Sequence, residues 1–338
     1  MLSRMNAVMK TAPGEAGVGL HEVDVPEPAP GQARIRVTAT GVCGTDIHIA
    51  RDEYGYEAPV VMGHEILGEV DAVGEGADES WVSRRVATET YFSTCGRCAA
   101  CRDGRINLCP SRRSIGSYEN GGFAPFVVVP VENLHAVSPV DESSDAGIGA
   151  VLAEPLACVA HCLCDPPVIS AGDEVLVVGP GAMGQLSAQV ARAEGGVVTL
   201  AGLPKDAERL NVARQLGFRT TTERPDADSY DVVIEASGSA PGAELAFAAA
   251  RRAGRYVQVG IFGRDVPMPF DAVLYKELTV TSGFASTPAS WRRAMTLIET
   301  GAVTLDPLVT ERVPLGDWQR AFENIRAGRG IKTVIVPD

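Results

Sequence analysis

The chain has no apolar run approaching the roughly 20 residues of a spanning helix. Its N-terminal Met1-Leu-Ser-Arg-Met-Asn leads into no apolar stretch of the signal-peptide kind. Neither a membrane-embedded nor a secreted protein is expected, and a cytoplasmic one is. Base is in short supply: 30 Lys and Arg stand against 43 Asp and Glu, a formal charge of −13. That balance argues against nucleic acid or an anionic membrane as a partner and leaves a small-molecule ligand. No internal repeat and no low-complexity linker interrupts the 338 residues, which suffice for a large core and two domains. Histidine is scarce, five in all, so a histidine that falls beside other candidate ligands is informative.

What is present in quantity is cysteine in one place. Four of the eight cysteines, Cys95, Cys98, Cys101 and Cys109, lie in a loop spaced C-x2-C-x2-C-x7-C, with Gly96 and Gly104 marking irregular backbone. Four soft donors over so short a span suit a closed tetrahedral zinc site, which holds structure and performs no reaction. An iron–sulfur cluster fits the spacing only in part, and unligated or disulfide-linked thiols are the remaining reading. Cysteines concentrated in this way suit a reducing compartment better than a secreted disulfide framework.

Periodicity divides the chain near residue 145. Before it, the segments Ala33 to Ala39, Val60 to Val73, Val82 to Thr90 and Phe123 to Val131 read as strands separated by Pro- and Gly-rich turns. From Asp145 to Cys164 the Ala- and Leu-rich sequence reads as helix. Beyond it come alternating elements: strands at Glu174, Val197, Asp231, Arg255 and Leu278, with helices Gly184 to Glu194, Ala207 to Leu216 and Gly242 to Arg252. This order predicts an α/β, doubly wound parallel sheet. Helices from Pro288 to Glu299 and Trp318 to Gly328 and a strand from Ile331 close the chain. The expected domains are 1–165, completed by about 298–338, and 166–297, with Pro166 to Gly172 as the hinge.

Gly179-Pro-Gly181-Ala182-Met183-Gly184 follows an almost wholly apolar strand and opens a helix, the setting in which G-x-G-x-x-G binds a dinucleotide pyrophosphate. The acid expected at the tip of the next strand, to take the ribose 2'-hydroxyl, is missing. Gly202 stands there, and Asp206 and Glu208 follow too late. NADP is therefore slightly favoured over NAD, with Lys205 or Arg209 able to supply positive charge; equally, both are ordinary exposed helix-start charges.

A second set is dispersed: Cys43, Thr45 and His48 in one segment, Gly63-His64-Glu65 in another, and Glu154-Pro155 in a third. Thiol, imidazole and carboxylate gathered from several elements are the pattern of a catalytic metal site with an open position. Each residue alone could be structural, Cys43 as a small buried hydrophobe.

Together these motifs resemble the zinc-containing medium-chain alcohol dehydrogenases, closest to the polyol and sugar branch with sorbitol and threonine dehydrogenases. The likeness covers nearly the whole chain. It implies a chaperonin-10-like β domain that holds catalytic zinc in a cleft against a Rossmann domain, two zinc ions per chain, NAD or NADP as cofactor, and a homodimer or homotetramer. Carried over, Cys43 and His64 are zinc ligands, Glu65 a ligand or close neighbour, and Glu154 a ligand directly or through water. Thr45 receives the alcohol proton and passes it by way of the cofactor ribose toward His48. The implied reaction is hydride transfer between NAD(P) and a secondary alcohol of a polyol, sugar or cyclitol. L-Threonine or another amino alcohol is the alternative, and a non-catalytic nucleotide sensor is the rival from another class. Threonine-oxidising members usually carry Asp-Pro where this chain has Glu154-Pro155, and the usual Gly-Asp-Arg-Val turn reads Ser83-Arg84-Arg85-Val86.

Overall fold

The structure is a computed structural model that describes residues 4–138 and 147–337. Two compact units emerge, Met1–Glu154 with Val309–Asp338, and Pro155–Leu308. The sequence pattern places these changes at 165/166 and 297/298. The helix Ala153–Cys164 falls mostly in the second unit, where Cys162 Sγ donates to the Gly283 carbonyl at 3.3 Å. At the far end Gln189 holds Thr304 through both amide atoms, at 2.6 and 3.1 Å, so the segment after Glu299 stays with that unit.

The first unit is mostly β, as its sequence predicts. Its central strand, Gln32–Gly41, pairs with Glu65–Val73 on one side and with Phe126–Pro130 and Lys332–Val336 on the other. Alternation along Gln32–Gly41 sends Ala33, Ile35 and Val37 inward against Ile66, Val70 and Val129. A second apolar cluster, containing Val8, Ile49, Met62, Phe123 and Phe322, joins the N-terminal strand to the C-terminal helix Trp318–Ala327. Three expected strands shorten, Phe123 to Val131 to Phe126–Pro130 among them. Val60 to Val73 is broken at Gly63-His64 into Val60–Val61 and Glu65–Val73, and Val82 to Thr90 contracts to Arg85–Thr88. Ser83 adopts a left-handed φ of 66°, the conformation a glycine would take without cost, at the position where the resembling family has glycine. Of the expected helix from Asp145, the first two residues lie outside the described ones.

The second unit is a six-stranded parallel sheet in spatial order Arg219–Thr221, Val197–Ala201, Glu174–Val178, Tyr230–Glu235, Ala250–Gln258, Thr279–Ser282. Val175, Leu176 and Val177 are fully buried because both faces of the sheet are covered, which is why that strand reads as an unbroken apolar run. The strand Arg219–Thr221 was not expected, being only three residues with no apolar signal. Among the described residues, no helix is long and apolar enough to cross a membrane.

Candidate active site

The dispersed ligands converge because of strand register. Gly41 pairs with Glu65 on one side and Val334 on the other, so the ends of three strands meet at one level. A side chain at Gly41 would put its Cβ 2.0 Å from Glu65 Oε2, so only glycine leaves that carboxylate its place. Just beyond, Cys43 caps the helix Gly44–Ala50, and its backbone N–H donates to Asp46 Oδ2 at 2.8 Å. His64 sits on the break between its two short strands. One donor atom each from Cys43, His64 and Glu65 lies within 4.8 Å of the others. Glu154 does not join that trio; its Oε1 accepts from Thr90 Oγ1 at 2.7 Å. Thr45 Oγ1 lies 3.7 Å from Cys43 Sγ, and His48 follows one turn later on the same helix face.

Two buried partners were not anticipated from sequence. Asp46 is fully buried and turns Oδ1 toward His64 Nδ1 at 3.5 Å. Its spacing of three from Cys43 is a capping-box signal that could have found it. Lys332, from the last strand, is also buried and places Nζ 2.7 Å from both oxygens of Glu65 and 3.2 Å from the Val42 carbonyl. A lone lysine inside the apolar run Ile331 to Val336 was the available signal, since lysine is almost never fully buried unless paired.

The charge arrangement fits a metal cation. Burial by itself would lower the pKa of His64, yet the Asp46 carboxylate and Cys43 hold it well above the ordinary imidazole value. Lys332 behaves alike: burial opposes its charge, and Glu65 and Cys43 more than compensate. The pocket therefore favours positive charge, and thiol, imidazole and carboxylate are donors that zinc accepts.

The four-thiol loop is built differently. The thiols of Cys95, Cys98, Cys101 and Cys109 also lie within 4.8 Å of one another. Backbone N–H groups of Cys98, Cys101 and Cys95 donate to the sulfurs of Cys95, Cys98 and Cys109 at 3.3, 3.4 and 3.3 Å. The Cys95 thiol is drawn down to about 6, chiefly by the backbone N–H groups of Arg97 and Cys98. N–H groups aimed at sulfur favour thiolate, the form that ligates zinc.

In the second unit, Gly179 has φ 103° and Gly184 meets it so closely that a Cβ there would lie 1.8 Å from the Gly179 carbonyl. The helix Ala182–Ala193 starts at this turn with Gly181 as its N-cap. Gly202, at the tip of Val197–Ala201, packs against Pro180: a Cβ would lie 2.9 Å from the proline ring, a reason for the missing acid that sequence did not disclose. Asp206 is buried and accepts from the Leu203 N–H at 2.9 Å, so it caps a turn rather than presenting charge at the tip. Arg209 Nη1 lies 3.7 Å from Asp206 Oδ1, while Lys205 is exposed.

A GroES-like β unit with clustered zinc donors and a separate parallel sheet carrying a glycine turn define a zinc-type, dinucleotide-linked dehydrogenase. The comparisons agree. Residues 29–139 match the alcohol dehydrogenase GroES-like domain and residues 182–300 the zinc-binding dehydrogenase family. The chain is 36% identical to a sorbitol dehydrogenase of Halalkalibacterium halodurans, over 98% of this chain and 99% of that one. It is 33% identical to an L-threonine 3-dehydrogenase of Pyrococcus horikoshii, over 99% of each, and other L-threonine 3-dehydrogenases match at 30% to 33%. Among solved structures, a zinc-binding dehydrogenase from Sinorhizobium meliloti bound to NADP superposes with a TM-score of 0.89 at 30% identity, covering 99% of this chain and 100% of that one. An acetophenone reductase from Geotrichum candidum in complex with NAD gives 0.86 at 25%, covering 99% and 98%. The chain belongs to the zinc-binding medium-chain dehydrogenase family and is an NAD(P)-linked oxidoreductase.

Proposed function

We propose that this dehydrogenase oxidises the secondary hydroxyl of a small hydrophilic alcohol, and that L-threonine or a related amino alcohol is the first substrate to test. The observation that carries the reaction is the gathering of half-buried Cys43 with buried His64 and Glu65, the Thr45 hydroxyl beside them. The recurrence of L-threonine 3-dehydrogenases among the relatives supports the amino-alcohol reading. A polyol is the second reading, favoured by Glu154-Pro155 and by the sorbitol dehydrogenase at 36% identity.

When bound, zinc supplies a Lewis acid for the substrate oxygen and NAD(P) a hydride acceptor. Cys43 and His64 would hold the metal, with Glu65, Glu154 or both completing the set. Asp46 Oδ1 faces Nδ1 of His64 at 3.5 Å, an arrangement that would leave Nε2 as the ring atom for the metal. Lys332 restrains Glu65 by a two-point contact. Thr45 would receive the hydroxyl proton, and His48, on the same helix face, would hand it toward solvent. The Cys95 loop would take a second zinc with a bracing role only.

Gly179, Gly181, Ala182, Met183 and Gly184 would cradle the pyrophosphate. NADP is favoured by the absence of an acid at Gly202, the inward turn of Asp206 and the exposed Lys205, and by the NADP-bound neighbour. The strand Thr279–Ser282 lies at the edge of the parallel sheet with Val280, Leu274 and Tyr275 exposed nearby, which suits pairing with a second copy; dimer and tetramer are both compatible.

The test is reduction of NAD⁺ and of NADP⁺ by zinc-loaded protein against L-threonine, D-sorbitol and a cyclitol. Threonine turnover that Cys43→Ser abolishes supports the first reading. Turnover of the polyols alone moves the assignment to the second, and none at all with nucleotide bound overturns both.

A further inference from the structure

The helix Gly44–Ala50 ends in a turn whose construction exceeds what a surface loop needs. Asp52 takes a left-handed φ of 63°, uncommon for a residue other than glycine. Its side chain is pinned from three directions: Lys10 Nζ at 2.9 Å, the Tyr56 hydroxyl at 2.7 Å and the Gly14 N–H at 2.6 Å. Lys10 is itself fully buried and donates to the Ala50 carbonyl at 2.9 Å, which anchors the helix end. The chain therefore doubles back, and the Glu53 N–H donates to the His48 carbonyl at 2.8 Å. The outcome is that Glu53 Oε2 stands 2.7 Å from His48 Nδ1.

We propose that Glu53 is a positioning residue for the proton path: it fixes His48 in the tautomer that carries hydrogen on Nδ1, so that Nε2 offers the lone pair which accepts the proton leaving the substrate. This rests on the reading of His48 as the outer end of that path. A carboxylate only accepts hydrogen bonds, so the 2.7 Å contact requires the hydrogen to sit on Nδ1. When a proton arrives, the bond formed is Nε2–H, the ring becomes imidazolium, and the Glu53 contact becomes charge-assisted. Loss of the same Nε2 proton to water restores the neutral ring, so no other reactant is needed. The logic is that by which a carboxylate orients a histidine base in hydrolases. Glu53 is 42% exposed in its side chain and His48 27%, so truncating Glu53 removes no core packing.

The tautomer can be read without turnover. In ¹⁵N-labelled, zinc-loaded holoenzyme, long-range ¹H–¹⁵N correlations should show His48 protonated at Nδ1, the signal being assigned by its loss in His48→Gln. In Glu53→Ala the Nδ1-protonated form should give way to a mixture, whereas Glu53→Gln, whose amide oxygen still accepts, should keep it. With L-threonine and with D-sorbitol, Glu53→Ala should lower kcat about tenfold with little change in KM, a fraction of the roughly 10²–10⁴ a general acid or base supplies, and Glu53→Gln should recover part of it. An unchanged tautomer in Glu53→Ala overturns the proposal, whatever the rates. A shifted tautomer with kcat unaltered in both Glu53→Ala and His48→Gln removes the proton-path reading and with it any catalytic part for Glu53.

Discussion

Among the described residues stand two clusters of metal donors whose construction differs at every level. The Cys95 to Cys109 loop collects four thiols within 15 residues, and its sulfurs are supported by the loop's own N–H groups. The Cys43 cluster draws its donors from separate elements, and its support comes from the far end of the chain: Lys332 lies 267 residues from the Glu65 it grips. A local cluster can form wherever its loop folds. A dispersed one exists only if the sheet closes in register, and it carries buried charge that must be balanced. Such a site is costlier to build, but it can set each donor's environment separately, as chemistry requires and bracing does not.

The two clusters come apart most directly at Cys43. Cys43→Ser should cut kcat/KM on the order of a thousandfold, since a Lewis acid supplies several kcal/mol of transition-state stabilisation, while zinc in the four-thiol loop stays. Metal analysis beside kinetics checks it, and loss of both metals would show that the two clusters are not independent.

Next in size is Lys332→Met. Removing one partner of a buried pair leaves an uncompensated charge on Glu65, and urea unfolding should show a loss of about 3–5 kcal/mol. A loss below about 1 kcal/mol would mean that Glu65 has another cation to balance it, as direct metal ligation would provide.

Cys101→Ser should act in the opposite sense, on stability rather than chemistry. Bound zinc should fall by one equivalent and the melting midpoint by roughly 5 °C, the scale of one or two kcal/mol in a protein of this size, with kcat retained. A collapse of kcat would make the loop more than a brace.

The smallest effect is expected at Asp52, which anchors the turn behind His48. Hydrogen bonds from Tyr56, Lys10 and the Gly14 N–H hold its carboxyl down at about 2 against an ordinary 3.8. Because the folded value is the lower one, the stabilisation is complete above the ordinary value and disappears as pH falls through about 2. Asp52→Asn should therefore be less stable than the native chain at pH 6, and the two should converge near pH 2. Thermal unfolding across that range decides it, and a gap that persists at pH 2 would assign the effect to something other than the carboxylate charge.

Much of this was legible without coordinates, unevenly. The parallel-sheet unit could be read almost element by element: Val197–Ala201 and Pro288–Glu299 have the expected bounds, because strands buried on both faces are continuous apolar runs and helices announce their caps. The β unit was harder. Half-buried strands broken by Gly63 and by the turn before Arg85 give weak periodicity, and the helix Gly44–Ala50 carries no periodic sequence signal, since seven residues between two loops show too little of a 3.6-residue pattern. Tyr54 and Tyr56 pack against the apolar cluster of the β unit.

By itself the sequence determined which chemistry was possible: four thiols at zinc spacing, a glycine turn between strand and helix, and a thiol, imidazole and carboxylate set with a threonine and a histidine beside it. Those depend on residue identity and short spacing, which the chain carries in one dimension. Tertiary structure alone decided which groups balance one another. That Lys332 meets Glu65, that Asp46 faces His64, that Glu53 reaches His48 and that Pro180 excludes a side chain at Gly202 follow from strand register, a left-handed turn and the packing of one loop on another. Pairing depends on distance in space and not along the chain, so the local signals that mark Asp46 and Lys332 do not name the group each one meets.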